Sequence, residues 1–491
     1  MSMTVGVIQL ELRSCVIRTR LNPRIPEDLK YFRLEAPALA PGNIPTSCAL
    51  QASLNTLYSA NVSIPFITHG VENDLLNATS HLAPVIAAAR VPWTEVTFLL
   101  AALVSAPAHG ILIDRHGRRI GIYVLVLLQG MTSVPLLFST SELSVLVHAA
   151  VAGVATGGLF LVLPVYVREV SGDAVRGVTL TLMMPMTTLG NAMKLLLTFD
   201  QMLFLVLGLV ALELLVVFLI PESPAYLVKA DKVEDAKVAA AKLMCSRNDD
   251  PLVVDDIRKL KEESARAKAN GKLTIFQILK NNIYRDEIKI GLVLNTTMVL
   301  SGSSIFLQPE KTLSGLGADV DPRRLLVPLS LLAGAACTVA LAHFVERKYV
   351  VTGACGVMVL SMGTLAVYTQ AGLAVTSLRW APQAALALLV AAYGMLWALP
   401  TLILVDMLNV EIRVRAMVVV YVYSQMIKLA HTLTLQHIEE YVGVYNLLYI
   451  CAGINTLAGV YALSTPPAAR GRTVRQIERQ LRARRVPLCQ L

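Results

Sequence analysis

The sequence predicts an all-α polytopic membrane protein, with twelve transmembrane helices in two pseudo-symmetric six-helix bundles. Three observations lead there. Apolar residues make up 55% of the 491-residue chain and charged residues only 16%, where a soluble protein carries about 25% charge. Twelve stretches reach the roughly 20 mostly apolar residues that cross a hydrocarbon core of about 30 Å. A charged central segment separates the first six from the last six.

The spans fall at 46–68, 94–113, 120–139, 143–167, 178–198, 202–220, 288–308, 324–345, 350–371, 384–408, 414–436 and 442–464. The segments 94–139 and 324–371 are tight helical hairpins. The expected organisation is an N-terminal cytoplasmic segment (1–45), a first bundle (46–220), a helical linker (221–287), a second bundle (288–464) and a basic tail (465–491). The linker is rich in Ala, Lys, Asp and Glu over Val233–Met244 and Val253–Ala269, as either a solvated connector or a helical layer bracing the bundle. The tail from Thr473 to Arg485 suits anionic headgroups.

The net charge of +9 does not describe a nucleic-acid surface. With the N-terminus inside, the outer loops hold only Arg90, Lys311, Arg323, Arg324 and Arg379, and Lys194 and Lys428 lie within spans. The rest of the 43 Lys and Arg face the cytosol, which places both termini there. No compact apolar core precedes span one, so no cleavable signal peptide is expected. Each cysteine falls in the cytosol or in a span, so neither disulfide nor metal site is expected. Asn77-Ala78-Thr79 is a glycosylation sequon in the long first outer loop. A phosphate-cradling loop of the ATP-binding kind is not found, no cofactor is expected, and no nucleophile–base set suggests an enzyme.

Specific motifs sit on this frame. Gly110-Ile-Leu-Ile-Asp114-Arg115-His-Gly117-Arg118-Arg119 joins spans two and three. It puts a carboxylate and three guanidinium groups at a tight turn between antiparallel helices. Pro164-Val-Tyr166-Val-Arg168-Glu169 and Arg176-Gly177 follow, then Pro221-Glu222-Ser223-Pro224 after span six, with a glycine-rich stretch from Gly153 to Gly158. These residues resemble the major facilitator superfamily and, within it, the sugar porters. The arthropod facilitated trehalose and glucose transporter branch is the most similar.

That resemblance implies a major facilitator fold and alternating-access, facilitated-diffusion transport of a small polar solute, a trehalose- or hexose-class sugar, at the plasma membrane. It implies that Asp114, Arg115, Arg118, Glu169, Arg176, Glu222, Asp406 and Arg413 form cytoplasmic charge pairs holding the outward-open state. The match is incomplete. Arg168 replaces a serine and Ala149 an arginine of the family pattern. In the second half Met298 and Val299 replace glutamines, Ser304 an asparagine, Thr401 a tryptophan and Ala468 a glutamate, and in span five Met184 replaces a sugar-contacting glutamine. A sugar hydroxyl that loses its partner costs about 1–3 kcal/mol.

Other polar groups are spaced to compensate. Thr297, Ser301, Ser304 and Gln308 fall on one helical face of span seven, and Thr187, Asn191, Lys194 and Thr198 on one face of span five. Span one offers Gln51, Asn55 and Tyr58, and span eleven Ser424, Gln425, Lys428 and His431. Ser and Thr also simply pack helices. Asn55, Ser301, Ser304, Gln308, Thr401, Ser424, Gln425 and Lys428 are the candidates for the solute cavity. An ionised Lys near the bilayer centre costs about 2.5–3.5 kcal/mol, so Lys428 needs water or a partner, for which Glu213 is a candidate; Lys194, near a span end, can snorkel. Span one at 46–68 holds no acid, which favours passive transport. The cationic spans keep open an organic anion or other polar metabolite as solute, and the worn second half a non-transporting sensor or receptor. The expected partners are the solute and membrane lipid; no oligomer is required.

Overall fold

The computed structural model describes residues 62–82, 92–172, 176–244, 246–269, 275–307, 321–342, 344–371, 380–409 and 412–464. Expectations for the N-terminal segment, Gln51, Asn55, Tyr58, Gln308 and the basic tail lie outside these residues.

The first half contains α1 (Ile64–Leu82), α2 (Trp93–His116), α3 (Arg118–Phe138), α4 (Glu142–Val170), α5 (Arg176–Thr181), α6 (Met183–Ala192) and α7 (Phe199–Leu219). Four linker helices follow: α8 (Pro224–Lys229), α9 (Val233–Met244), α10 (Pro251–Ala269) and α11 (Ile275–Lys280). The second half holds α12 (Asn282–Val299), α13 (Ser303–Phe306), α14 (Asp321–Ala342), α15 (Arg347–Ala371), α16 (Ala381–Leu396), α17 (Leu399–Met407), α18 (Arg413–Val442) and α19 (Val444–Ser464). Ten rods among the described residues are long and apolar enough to span a membrane. The polar rod α1 and the rod built of α5 and α6, interrupted at Leu182, complete the twelve.

Local chemistry sets several ends. Ser141 caps α4 by accepting from the Ser144 N–H, Thr198 and Gln201 form a capping box on α7, and Ser223 with Pro224 starts α8. Gly117 separates α2 from α3 alone, at φ 104°, and a Cβ there would strike the Glu222 carboxylate. Gly302, at φ 90°, divides α12 from α13, and a Cβ would meet Cys451 Sγ at 3.1 Å. That break interrupts the single polar face expected along span seven.

Within the first half α2 and α3 pack on α4 and α1 packs on α6; within the second, α15 packs on α16 and α19 and α14 on α16. The halves meet along two seams, α2 with α18 and α6 with α14. Val104, Phe204, Leu215, Leu360 and Leu457 stay exposed on the outer faces, which suits lipid tails. In the linker, Leu227, Val228, Ala236, Ala240, Val253 and Ile257 bury one another in a small separate core, so this segment is a packed helical layer.

One boundary needs correction. The sequence ends span one at 68 and puts an outer loop after it, whereas α1 runs to Leu82. Thr68, His69, Glu72 and Asp74 lower the hydropathy of this stretch, yet each has a partner inside the bundle: Glu213, Thr156, Thr132 and Lys194 respectively. Paired polar groups can stay in a membrane helix. Asn77 is therefore helical rather than in a loop; it is exposed, but Thr79 is buried with its hydroxyl donating to the Leu76 carbonyl at 3.0 Å.

Candidate functional site

Where the linker meets the bundles, charged side chains from both halves interlock. Because Gly117 joins α2 to α3 in one residue, the first N–H groups of α3 face Glu222, just beyond α7. Glu222 Oε1 accepts from the N–H of Arg118 at 2.9 Å and of Ser223 at 2.8 Å, and Oε2 from the N–H of Arg119 at 3.2 Å. An anion at a helix N-terminus is favoured by the dipole and the free donors. Burial nevertheless pushes the Glu222 carboxyl above its ordinary pKa, against the opposing pull of these N–H groups and the Arg118 charge.

Arg118 is fully buried and forks onto Glu169 at the end of α4, with Nε to Oε2 at 2.9 Å and Nη2 to Oε1 at 3.0 Å. The Ser223 hydroxyl donates to the same carboxylate at 2.6 Å. Arg413, which opens α18, brings Nη1 to Glu169 Oε1 at 3.4 Å and also donates to the Leu408 carbonyl. One carboxylate thus ties the two halves. Asp406 makes a second tie: Oδ2 accepts from Arg347 Nη1 at 2.5 Å, and Oδ1 lies 3.2 Å from Arg168 Nε of the other half. Asp114 pairs with Lys229 of the linker at 3.0 Å and stands 3.9 Å from Arg415 of α18.

Asp114, Arg118, Glu169, Glu222, Asp406 and Arg413 therefore come together. Among the described residues Arg115 offers this region only its carbonyl, which accepts from the Tyr226 hydroxyl at 2.9 Å. Arg176 donates to the Ser171 carbonyl at 3.4 Å and lies in electrostatic reach of Arg413. Sequence reasoning missed Arg168, Arg347, Arg415 and Lys229 as participants. Arg168 was visible as a departure at a matched motif.

The cavity candidates are more scattered. Ser301 is buried inside the second half, where its hydroxyl donates to the Met298 carbonyl at 2.7 Å and its carbonyl accepts from Asn455 at 3.1 Å. Ser304 and Thr401 are half-buried, and the Ser304 hydroxyl has no protein partner among the described residues. Met184 is fully buried. Lys194 does not snorkel free; its Nζ reaches Asp74 at 3.0 Å. Glu213 accepts from Thr68 of α1 and so is engaged within its own half, not by Lys428.

One face of α18 behaves differently. Tyr421, Ser424, Gln425, Lys428 and Thr432 recur at helical spacing. The Tyr421 hydroxyl donates to the Thr156 carbonyl of α4 at 3.3 Å, and the Thr432 hydroxyl donates to Glu95 of α2 at 2.9 Å. This face is turned to the first half, and Ser424, Gln425 and Lys428 lie between those contacts. On the opposite wall, His69 meets Thr156 at 3.4 Å and the Phe160 ring edge-on at 5.4 Å, while Phe160 meets Trp397 of the second half at 5.9 Å. His69, Phe160, Trp397 and Tyr421 are seam residues the sequence reading did not single out.

The sequence profile of the sugar (and other) transporters matches residues 48–481. The chain belongs to the sugar transporter family. It is thus a multi-pass membrane protein of a transporter family, not an enzyme. Its relatives in that family are distant. It is 25% identical over 406 residues to the facilitated trehalose transporter of Apis mellifera ligustica, covering 79% of each chain. It is 24% identical over 409 residues to that of Drosophila willistoni, spanning 80% of this chain but 46% of the relative. With facilitated glucose transporter member 1 of Gallus gallus it shares 27% over 222 residues, 42% of this chain and 44% of the relative. Among solved structures, the proton:xylose symporter XylE superposes with a TM-score of 0.67 at 18% identity, over 89% of this chain and 98% of that one. The human organic anion transporter MFSD10 gives 0.56 at 13%, over 85% and 100%. These likenesses establish the major facilitator fold.

Proposed function

We propose that this protein carries a small polar solute, a sugar of the trehalose or hexose class, across the plasma membrane by facilitated-diffusion alternating access, with both termini in the cytosol. The observation that carries this reading is the double tie at the linker end, Glu169 with Arg413 and Asp406 with Arg168. Each tie joins a residue of one half to a residue of the other, so rocking of the halves would break both without disturbing either bundle. The tied arrangement is the state closed to the cytosol, with the solute entering from outside along the α18 seam. Arg118 and Glu222 stay with the first half throughout and hold Glu169 in place.

The relatives named as facilitated trehalose and glucose transporters support both the solute class and the passive mode. The acid-free span one no longer does, because α1 carries Glu72 and Asp74. Entrance counterflow in proteoliposomes, with trehalose and glucose as labelled solutes, tests the reading. Labelled solute should overshoot transiently in vesicles preloaded with the same sugar. Binding of either sugar without any overshoot would reject transport and leave a sensor.

A further inference from the structure

Lys428 lies inside the membrane-spanning part of α18, Arg413–Leu435, about 10 Å from its outer end. Contacts on its own helical face bracket it, Tyr421 with Thr156 on one side and Thr432 with Glu95 on the other. Both lead to the first half, so Lys428 faces the seam rather than lipid. It is exposed there, and among the described residues it makes no salt bridge or hydrogen bond. Lys194, also within a membrane rod, is paired with Asp74. An ionisable side chain held at this depth without a partner marks a functional site.

The charges around it narrow what it could hold. His69 and Glu95 are the groups in electrostatic reach of Lys428. His69 is tied to Thr156, and Glu95 lies one helical turn farther out, where the Thr432 hydroxyl occupies Oε1. Asp74 is taken by Lys194, and Glu72 accepts from Thr132 of α3. Glu95 is therefore an acid of the first half whose charge reaches Lys428, and among the described residues no hydrogen bond or ion pair joins the two. Close by, Gln425 is buried, with Oε1 lacking a protein partner among the described residues, and it bonds to Tyr421. Meanwhile Met184, Met298 and Val299, where the family pattern has amides, supply no hydrogen-bonding side chain.

We infer that the seam reads a carboxylate: Lys428 binds the anionic group of a carboxylated sugar, a uronate or aldonate, while Gln425 and nearby seam groups bind its hydroxyls. This deepens the transport reading and rests on the same seam being the solute path. Such a solute offers Lys428 a charge-assisted bond that Glu95 does not make.

The test measures binding to the purified full chain of D-glucuronate, of its neutral isostere D-glucuronamide, and of D-glucose. Glucuronate should bind about 10- to 100-fold more tightly than glucuronamide, the scale of one charge-assisted hydrogen bond. Lys428→Gln, with Lys428→Met as a second neutral variant, should erase that ratio, and Lys428→Arg should keep most of it. A wild-type ratio near one, or a ratio that survives both neutral variants, overturns the inference. Counterflow of glucose and glucuronate separates the two claims. A preserved binding ratio without counterflow of either sugar sinks transport and keeps the anion site; glucose counterflow with a ratio near one does the reverse.

Discussion

Replacing Arg413 by Gln removes a tie between the halves, together with two bonds to the Leu408 carbonyl that the second half keeps in either state. The magnitude follows from which bonds change between states. The two bonds from Arg413 to the Leu408 carbonyl stay within the second half and survive rocking. The bond to Glu169 does not, and at 3.4 Å it is long for a charge-assisted pair. Such bonds contribute about 1.5–3 kcal/mol, and this one belongs at the lower end. About 1.5 kcal/mol shifts the balance between closed and open linker ends roughly tenfold toward open. Glu169 keeps its fork with Arg118, so no buried carboxylate is stranded. Spin labels at Gly172→Cys and Phe344→Cys, exposed positions at the linker end of each half, report the separation. The long-distance population should rise about tenfold in the Arg413→Gln background. Arg415→Gln is the control, since Arg415 stands 3.9 Å from Asp114 and is one-third exposed, a geometry in which exposed pairs contribute under about 1 kcal/mol. An unchanged distance distribution for Arg413→Gln, or an equal shift for Arg415→Gln, would refute the lock.

Three further outcomes are expected. Lys194→Met strands Asp74, whose side chain is 4% exposed, and should lower stability by about 2 kcal/mol, the buried-pair penalty discounted because the lysine is 43% exposed; Asp74→Asn should restore most of it, as thermal unfolding of the pair will show. Because burial raises the Glu222 carboxyl above its ordinary 4.5, its stabilising contribution is full below that value and is lost as pH rises through the raised one. Glu222→Gln, neutral throughout, should therefore lose less Tm than the wild type as pH rises from 4.5 toward neutrality. Uptake into vesicles should be unaffected by a protonophore, because Glu72 bonds to Thr132 and Gln129 and Glu213 to Thr68, all of their own half, and they keep those partners as the halves rock; collapse of uptake with the proton gradient would show coupling.

Much of the lock was legible in the sequence because its parts lie next to turns. The hairpin Gly117-Arg118-Arg119 and the motif around Glu222 each fix their own geometry within a few residues. What the sequence could not show was the partner across the gap, so Arg168 and Arg347 were seen only once Asp406 was placed between them. The first rod was misjudged for a related reason. Hydropathy scores a buried Glu as a penalty whether or not a hydroxyl donates to it, and Glu72 and Glu213 both receive such a bond. The cavity was least legible of all. Helical spacing assumes an unbroken helix, and Gly302 breaks the one that carries Ser301 and Ser304.

The two kinds of residue also tolerate change differently, which explains why the lock resembles the family more than the cavity does. Arg118 and Glu169 are both almost wholly withdrawn from solvent. Removing one partner of such a buried pair costs about 3–5 kcal/mol, a large share of a protein's stability. A cavity amide facing water meets no such penalty when it becomes Met or Val; only the solute loses a partner. The fold can therefore persist while the solute changes, provided some new group supplies what the lost amides did. Lys428, exposed on the seam with three donors free among the described residues, has the chemistry for that role. An amide set recognises neutral hydroxyls, whereas an ammonium favours an anion. Exchanging one for the other would convert a neutral-sugar seam into an acidic-sugar seam without touching the charge ties that move it.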